Sequence, residues 1–267
     1  MRGAPCHDEG ASLDAETLEE LLPAYENLRL VGRGGMGVVY RARQCSLDRE
    51  VAIKVLSGEA NARSDFTKRF EREAKMLAKL NHPGIVTGHD YGVELGIPYV
   101  VTEFVNGDTL ADEIRKRKIP RGEALDIVCE VAEAIGFAHE NGVVHRDIKP
   151  SNVLIDEHGR VKVVDFGISK IGVGDQSPAD LTRTGERWGT PIYTAPEVWS
   201  DDGVAADHRA DIYSLGVVLY ELLTGSIPSG GGLVPNALGQ FGIEMRGLLE
   251  RCMCSCLLYT SPSPRDL

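Results

Sequence analysis

The chain carries two kinds of hydrophobic pattern, one after the other. From Tyr25 to about Tyr99, short runs of β-branched, aromatic and apolar residues predict β-strands, with one amphipathic helix inserted among them. From Thr109 onward, apolar residues recur at helical spacing. One helical face carries Leu125, Val128, Ala132, Ile135, Ala138 and His139, and a second apolar helix covers 211–223. We therefore predict an α+β protein in which a small strand-rich lobe precedes a larger helical lobe, joined near Asn106.

Two segments interrupt this division. Residues 153–167 (VLIDEHGRVKVVDFG) predict a β-hairpin within the helical lobe, with its turn at 157–159. Residues 1–24 are acidic and contain one short helical pattern, formed by Leu13, Leu18, Leu21 and Leu22. We interpret these first residues as an N-terminal extension.

Charge and composition narrow the classes of function. A formal net charge of −11 over 267 residues argues against binding to nucleic acid or to an anionic membrane, since either would need a basic face. No apolar run is long enough to predict a signal peptide or a membrane span. The six cysteines predict reduced thiols rather than a disulfide framework. The CMCSC segment lacks the second half of a zinc site, so we expect no metal there.

A glycine-rich segment gives the first chemical signal. Its glycines are Gly32, Gly34, Gly35 and Gly37. Without a Cβ, their backbone N–H groups can approach phosphate oxygens closely. The same spacing occurs in dinucleotide-binding folds, where a helix follows the glycines. Here the following VVYRAR predicts a strand, which favours a hairpin that closes over a nucleotide.

A lysine and a glutamate in successive elements give the second signal. Lys54 ends the apolar strand VAIK, and Glu73 lies in the amphipathic helix that follows. The apolar stripe of that helix contains Phe66, Phe70, Leu77 and Leu80, and Glu73 falls within it. A carboxylate on an apolar face is costly without a cationic partner. We therefore expect a Lys54–Glu73 ion pair that holds the ammonium group toward the α- and β-phosphates.

The strongest signal is HRDIKPSN, followed by DFG. Each polar residue in these two motifs matches a role that phosphoryl transfer requires. Asp147 would orient the substrate hydroxyl and accept its proton, and Lys149 would neutralise charge on the transferred phosphoryl group. Asn152 and Asp165 would supply the hard oxygen ligands that Mg²⁺ prefers.

Together with APE at 195–197, these motifs make the chain resemble the eukaryotic-type Ser/Thr protein kinases of bacteria, over roughly residues 25–251. The resemblance implies the bilobal protein kinase fold, with a small β-rich N-lobe that holds one key helix and a larger helical C-lobe. It also implies a non-specific serine/threonine protein kinase, a transferase that acts in signal transduction. ATP and Mg²⁺ would be its cofactors, and protein Ser/Thr hydroxyls its substrates.

The resemblance further implies the surroundings of the adenine ring. Residues 102–105 would form the hinge, with Thr102 as gatekeeper and the backbones of Glu103 and Val105 contacting adenine. The purine would lie among three apolar side chains, those of Val39, Ala52 and Leu154. Their apolar character is equally consistent with ordinary core positions.

Two features favour serine and threonine over tyrosine as substrates. The first is Lys149, two residues after the catalytic Asp147. The second is Thr190, which lies before Tyr193. The resemblance implies that the Thr190 hydroxyl binds the catalytic Asp and Lys.

The resemblance also implies a role for Asp211, which would cap the backbone of the catalytic loop.

The activation segment, residues 165–197, contains Thr182 and Thr184 in a polar stretch. We expect autophosphorylation at these two threonines, with Arg146 receiving the phosphate and with a dimer of kinase domains as the reacting pair. A polar, threonine-rich mobile loop is the alternative.

The kinase pattern weakens after residue 225. Residues 226–240 are glycine-rich, and the late helix near 247–253 is not followed by the Asp and Arg of the family, so Glu197 would lack its arginine partner. Residues 256–266 match one reading frame of a transposase-based sequencing adapter, and a disordered Ser/Pro tail is the alternative. We expect a kinase C-lobe that is incomplete at its C-terminal end.

The expected organisation is therefore an N-terminal extension (1–24), a kinase N-lobe (25–106), a truncated C-lobe (107–251) and a non-native tail (252–267). We expect a cytoplasmic protein. The alternative is that the full-length gene product has a membrane anchor in a missing C-terminal segment. A nucleotide-binding pseudokinase scaffold and an inactive truncated fragment are the alternative functions. The first is disfavoured because Lys54, Asp147, Asn152 and Asp165 are all present.

Overall fold

The computed structural model describes residues 14–34, 37–56, 64–166, 191–196, 207–228 and 241–253; at 64–69, 73 and 191 it describes the backbone alone. The chain divides into two compact units. The small unit comprises Met1–Thr67 and His89–Phe104, and the large unit comprises Lys68–Gly88 and Val105–Leu267.

The small unit is built on one five-stranded sheet. Its elements are helix α1 (Ala15–Leu21) and strands β1 (Tyr25–Gly34), β2 (Gly37–Gln44), β3 (Arg49–Leu56), β4 (Gly88–Glu94) and β5 (Ile97–Glu103). The strand order is β1-β2-β3-β5-β4, and the β1–β2, β2–β3 and β3–β5 pairs are antiparallel. The strands predicted in this part of the sequence are confirmed.

The two faces of this sheet differ in character. Along β3, Val51, Ile53 and Val55 are buried, whereas Ala52 and Lys54 between them are partly exposed. Successive strand residues point to opposite faces, so the alternation separates an apolar face from a face that carries the lysine. The apolar face forms a core with Leu18, Leu22, Tyr25, Leu28, Tyr40, Ala42 and Val101.

The large unit is mainly helical. Most of α2 (Ser64–Leu77) belongs to it, with α3 (Leu110–Lys116), α4 (Arg121–Glu140), α5 (Arg209–Thr224) and α6 (Ile243–Cys252). A second sheet has the order β6-β7-β8, with β6 (Gly107–Thr109), β7 (Val153–Asp156) and β8 (Val161–Val163). Short 3₁₀ turns cover Pro150–Asn152 and Pro191–Tyr193.

Helix α5 is the centre of the large unit. Every residue from 210 to 220 is buried, and the helix packs against α4 on one side and α6 on another. The approach of α6 is close at Gly216, where an added Cβ would lie 2.7 Å from the Cβ of Cys252. A helix that is apolar all round belongs in a core. Among the described residues, no helix is both long and apolar enough to cross a membrane.

The predicted hairpin is confirmed as β7 and β8. Asp156 ends β7, and its Oδ1 accepts hydrogen bonds from the backbone N–H groups of His158 and Arg160, both at 2.9 Å. Gly159 has φ of 79°, a left-handed conformation that glycine adopts without steric cost. The turn therefore falls where the sequence placed it, and it brings the DFG segment back beside β7.

Candidate active site

Asp147 lies at the centre of a hydrogen-bonded cluster in the large unit. Lys149 Nζ donates to Asp147 Oδ2 at 2.7 Å. Asn152 Nδ2 donates to the backbone oxygen of Asp147 at 2.7 Å and to its Oδ2 at 3.0 Å. The carboxylate and the ammonium group remain partly accessible, at 13% and 19% of their side-chain surface, whereas Asn152 is buried. The cluster therefore holds a carboxylate in a fixed orientation at a surface that another molecule can reach.

The backbone brings Asp165 next to Asn152. The Val164 N–H donates to the backbone oxygen of Asn152 at 3.0 Å, across the strands of the β7–β8 hairpin. Asp165 itself has φ of 67°, which is uncommon for a residue with a side chain and occurs often at functional sites. The main chain thus places Asp165 one residue after this bond, and the joint role of Asn152 and Asp165 stays a prediction.

Asp211 supports this loop from the N-terminal turn of α5. Its Oδ2 accepts the His145 N–H at 2.8 Å, and its Oδ1 accepts the Arg146 N–H at 2.7 Å. The side chain is 0% exposed, and His139 Nε2 lies 2.8 Å from Oδ2. The expected cap on the backbone of the loop that leads to Asp147 is confirmed. Sequence reasoning placed His139 in an apolar stripe and missed its role as a partner of Asp211.

His145 is a buried, neutral member of the same network. Its Nδ1 accepts the Asp147 N–H at 3.2 Å, which leaves the proton on Nε2, where it is donated to the Val164 oxygen at 2.8 Å. Burial lowers the pKa of His145, and the Asp211 carboxylate opposes this shift. The ring also packs against Phe166, with centroids 4.5 Å apart. One imidazole therefore joins the HRD loop to the DFG segment.

The segment before Pro196 is anchored on α5. Tyr193 donates its phenolic hydrogen to Glu221 Oε2, and its backbone oxygen accepts from Ser214 Oγ at 2.7 Å. Burial raises the pKa of Glu221 above its ordinary value, and the bond from Tyr193 opposes the rise. Sequence reasoning did not identify this pair, because the two residues are far apart in the chain.

In the small unit, the sheet places three predicted nucleotide-binding residues on one face. Val39 is directly opposite Lys54 in the β2–β3 register, and Ala52 lies two residues before Lys54 on the same strand. Directly opposed residues share a face, as do residues two apart. Lys54, Val39 and Ala52 are therefore neighbours on the partly exposed face of the sheet.

The glycine segment and the hinge segment also have specific features. Gly37 has φ of 145°, and a Cβ there would lie 2.1 Å from the Val55 oxygen, so glycine is required at this position. Thr102 Oγ1 donates to the Glu103 oxygen at 3.2 Å. Gly32 and Gly34 end β1, and both have open space where a Cβ would be.

The remaining predicted residues fall into two groups. In the large unit, Leu154 is partly buried in β7, opposite Thr109 and Lys162, and Val105 is also partly buried. The other group lies outside the described residues and consists of Gly35, Thr182, Thr184, Thr190, Glu197 and the side chain of Glu73. Of the predicted apolar stripe, Phe70 and Leu77 of α2 and Leu80 just after the helix are buried as expected.

Comparison with known proteins identifies the class. The protein kinase domain family matches residues 25–240, so the chain belongs to that family. It is 45% identical to the serine/threonine-protein kinase PrkC of Bacillus subtilis (strain 168) over 208 residues, which cover 78% of this chain and 31% of PrkC. It is 42% identical to the serine/threonine-protein kinase PknB of Mycobacterium leprae (strain TN) over 217 residues, which cover 79% of this chain and 34% of PknB.

The solved structures agree. The crystal structure of the Mycobacterium tuberculosis PknI kinase domain matches with a TM-score of 0.74 and 29% identity, over 91% of this chain and 93% of that one. The protein kinase fold and the resemblance to bacterial Ser/Thr kinases are therefore confirmed. The chain spans about a third of the length of PrkC and PknB.

Proposed function

We propose that this chain is a serine/threonine protein kinase that transfers the γ-phosphoryl group of ATP to hydroxyl groups of other proteins. The observation that carries the proposal is the hydrogen-bonded cluster of Asp147, Lys149 and Asn152. Phosphoryl transfer depends on positioning and on electrostatic stabilisation, and this cluster supplies both. PrkC and PknB are themselves named as serine/threonine kinases.

In this proposal Asp147 holds the substrate hydroxyl in line and takes its proton as the bond to phosphorus forms. Lys149 already lies against the Asp147 carboxylate, so its ammonium group is available beside the transferred phosphoryl group as negative charge develops there. Asn152 fixes the Asp147 carboxylate by donating to it through its amide nitrogen.

The donor set beside Asp147 fits a magnesium ion. Asn152 uses its amide nitrogen for Asp147, so its amide oxygen is the atom suited to a cation, and Asp165 adds a carboxylate nearby in the chain. Oxygen ligands of this kind are those that Mg²⁺ prefers. When bound, Mg²⁺ would neutralise charge on the nucleotide phosphates.

The small unit would bind the nucleotide itself. Val39, Ala52 and Lys54 share one face of the sheet, and we assign the first two to the purine ring and the lysine to the α- and β-phosphates. The glycine segment would cover the phosphates with Gly32, Gly34, Gly35 and Gly37, Glu73 would pair with Lys54, and the adenine contacts would be Glu103, Val105 and Leu154.

The decisive experiment compares the purified chain with Asp147→Asn. Both are incubated with radiolabelled ATP, Mg²⁺ and a generic basic protein, and transferred phosphate is counted. Transfer by the wild type that the variant lacks supports the kinase. Nucleotide binding without transfer supports a scaffold, and insoluble protein supports an inactive fragment.

We further propose that Thr182 and Thr184 are autophosphorylated between two copies of the domain, and that Thr190 positions the protein substrate. Two hydroxyls in the activation segment and the guanidinium of Arg146, the residue before Asp147, support this idea. Mass spectrometry after incubation with Mg-ATP tests it, and an active preparation without phosphate at either threonine contradicts it.

The proposed organisation is an N-lobe over 25–106 and a C-lobe over 107–251. A cytoplasmic location is part of the proposal, because ATP and protein substrates are available together there. Fractionation of cells that produce the protein, followed by immunoblotting, is the direct test, and recovery outside the cytoplasmic fraction contradicts it.

A further inference from the structure

Helix α1 is part of the apolar core of the small unit. Leu18 and Leu22 are 3% and 4% exposed and belong to the cluster that includes Ile53 and Val101. The Asp14 side chain accepts the Thr17 N–H at 2.8 Å and caps the helix. The match to the protein kinase family begins at residue 25, so this helix lies outside the matched segment.

The helix also reaches the strand that carries the glycine segment. Between Glu26 and Arg29, β1 has one residue more than β2, because Glu26 is opposite Arg43 and Arg29 is opposite Arg41. Such an extra residue is a β-bulge, and Asn27 within it has φ of 58°. The β1–β2 register therefore depends on the bulge.

Glu19 supplies a hydrogen-bond acceptor at this bulge. The Leu28 N–H donates to Glu19 Oε1 at 2.6 Å, in a partly buried setting. Leu28 itself is buried in the core. A buried N–H group without an acceptor is costly, so the carboxylate stabilises the bulged form of β1.

The bulge is one of two irregularities of β1 that set the position of the glycines. The second lies between Leu30, opposite Tyr40, and Gly32, opposite Val39, where β1 again has one residue more than β2. Arg29 to Gly34 follow the bulge at Asn27 on the same strand, and Gly34 is opposite Gly37 at the end of the β1–β2 pair. Regular pairing would satisfy the Leu28 amide without Glu19, but it would shift each later residue of β1 by one position and turn its side chain to the other face. The glycine segment would then start from the wrong register.

We propose that Glu19 is a positioning residue for the nucleotide site, and that it acts by fixing the bulge of β1 through the Leu28 amide. This inference rests on the proposed nucleotide binding by the small unit. A contact between the edge strands supports it, since Tyr25 at the start of β1 donates its hydroxyl hydrogen to Asp90 of β4 at 3.2 Å. Side-chain contacts thus hold β1 just before the bulge, at Tyr25, and within it, at Leu28.

The test compares Glu19→Ala with Glu19→Gln in the full chain. Glutamine keeps an acceptor oxygen and loses the charge, so we expect a wild-type KM for ATP. Alanine removes the acceptor, and we expect the KM for ATP to rise about fivefold, with kcat and the KM for the protein substrate unchanged. Glu20→Ala, an exposed neighbour on the same helix, is the matched control and should behave as wild type.

Three results would overturn the inference. They are a wild-type KM for ATP in Glu19→Ala, an equal defect in Glu19→Gln, or a fall in Tm without any change in nucleotide affinity. If Glu19→Ala does not fold, Glu19→Asp replaces it, because the shorter side chain withdraws the acceptor, and an unchanged KM then contradicts the idea.

Failure of the proposed function is distinguishable from failure of this inference. If the wild type transfers no phosphate, equilibrium binding of ATP to the wild type and to both Glu19 variants replaces the kinetic assay. Weaker binding by Glu19→Ala than by Glu19→Gln supports the positioning role, and equal affinities contradict it.

Discussion

The guanidinium carbon of Arg41 lies 4.6 Å from the centre of the Phe104 ring, and Arg41 Nε also donates to Glu50 Oε1 at 2.9 Å. A guanidinium over an aromatic face at an exposed site contributes about 0.5–1 kcal/mol. Phe104 directly follows Glu103, whose backbone we assign to adenine. The stack therefore holds the end of β5 at the proposed hinge.

Arg41→Lys should weaken nucleotide binding. Lysine keeps the charge but loses the planar group that covers the ring. We expect the KM for ATP to rise about two- to fivefold, in proportion to the lost stacking energy. Steady-state titration with ATP measures it. Arg43→Lys is the control, because Arg43 pairs with Asp48 and Glu26, away from Phe104, and an equal effect in both variants would contradict the role of the stack.

Asp211→Asn should lower the free energy of unfolding by about 3 kcal/mol. The amide would keep one acceptor oxygen but would turn an NH₂ group toward a donor, since both carboxylate oxygens now accept from backbone N–H groups. Urea unfolding measures the change. Asp207→Asn serves as the control, because Asp207 pairs with Arg209 at a partly exposed site, and a similar loss there would argue against a special contribution from Asp211.

Gly216→Ala should destabilise the large unit by about 1–3 kcal/mol. The new Cβ would lie 2.7 Å from the Cβ of Cys252 and 3.0 Å from Met253 Cγ, so α5 and α6 would have to separate. Gly247→Ala in α6 has only the flexible end of Arg251 nearby, at 3.9 Å, and should be neutral or slightly stabilising. Thermal unfolding of both variants checks the pair, and a stable Gly216→Ala protein would contradict the described packing.

Lys149→Ala should lower kcat about 100-fold and leave the KM for ATP nearly unchanged. The ammonium group lies 2.7 Å from the Asp147 carboxylate, where it would act on charge that develops in the transition state. Lys118→Ala, at an exposed position, should retain full activity. If the KM for ATP of Lys149→Ala rose by a factor similar to the fall in kcat, Lys149 would instead bind the nucleotide in its ground state.

Glu221 should make stability depend on pH in an unusual direction. Burial raises the folded-state pKa of Glu221 above its ordinary value of 4.5, so the folded protein holds the proton more tightly than the unfolded chain. Its contribution is therefore fully present below about pH 4.5 and is lost as pH rises through the folded pKa. The measurement is the urea midpoint of wild type and of Glu221→Gln from about pH 4.5 to about pH 7.5. As pH rises, the midpoint of the variant should increasingly exceed that of the wild type. A constant difference between the two midpoints would contradict the raised pKa of Glu221.

The hydrogen-bonded cluster around Asp147 could be predicted from the sequence because its members are close in the chain. Asp147, Lys149 and Asn152 lie within one loop, and the hairpin after them fixes where Asp165 returns. Short loops and hairpins follow local rules, so residue spacing is enough to bring such groups together.

The supporting contacts could not be predicted because they depend on packing. Tyr193 meets Glu221 only when α5 lies beneath its segment. Glu19 meets Leu28 only because β1 bulges, and nothing in the alternation of β1 marks that bulge. Both contacts combine a polar side chain with distant or irregular backbone, which periodicity does not describe.

The carboxylate of Asp211 ties a loop to the N-terminal turn of α5, a helix that is buried from residue 210 to residue 220. The amide hydrogens of His145 and Arg146 should therefore exchange with deuterated solvent at the rate of the slowest helical amides, although neither residue belongs to a helix or strand. Their release would require the large unit to open as a whole. The loop that carries the proposed catalytic residues would then be as persistent as the core, and its geometry would be set before any nucleotide arrives.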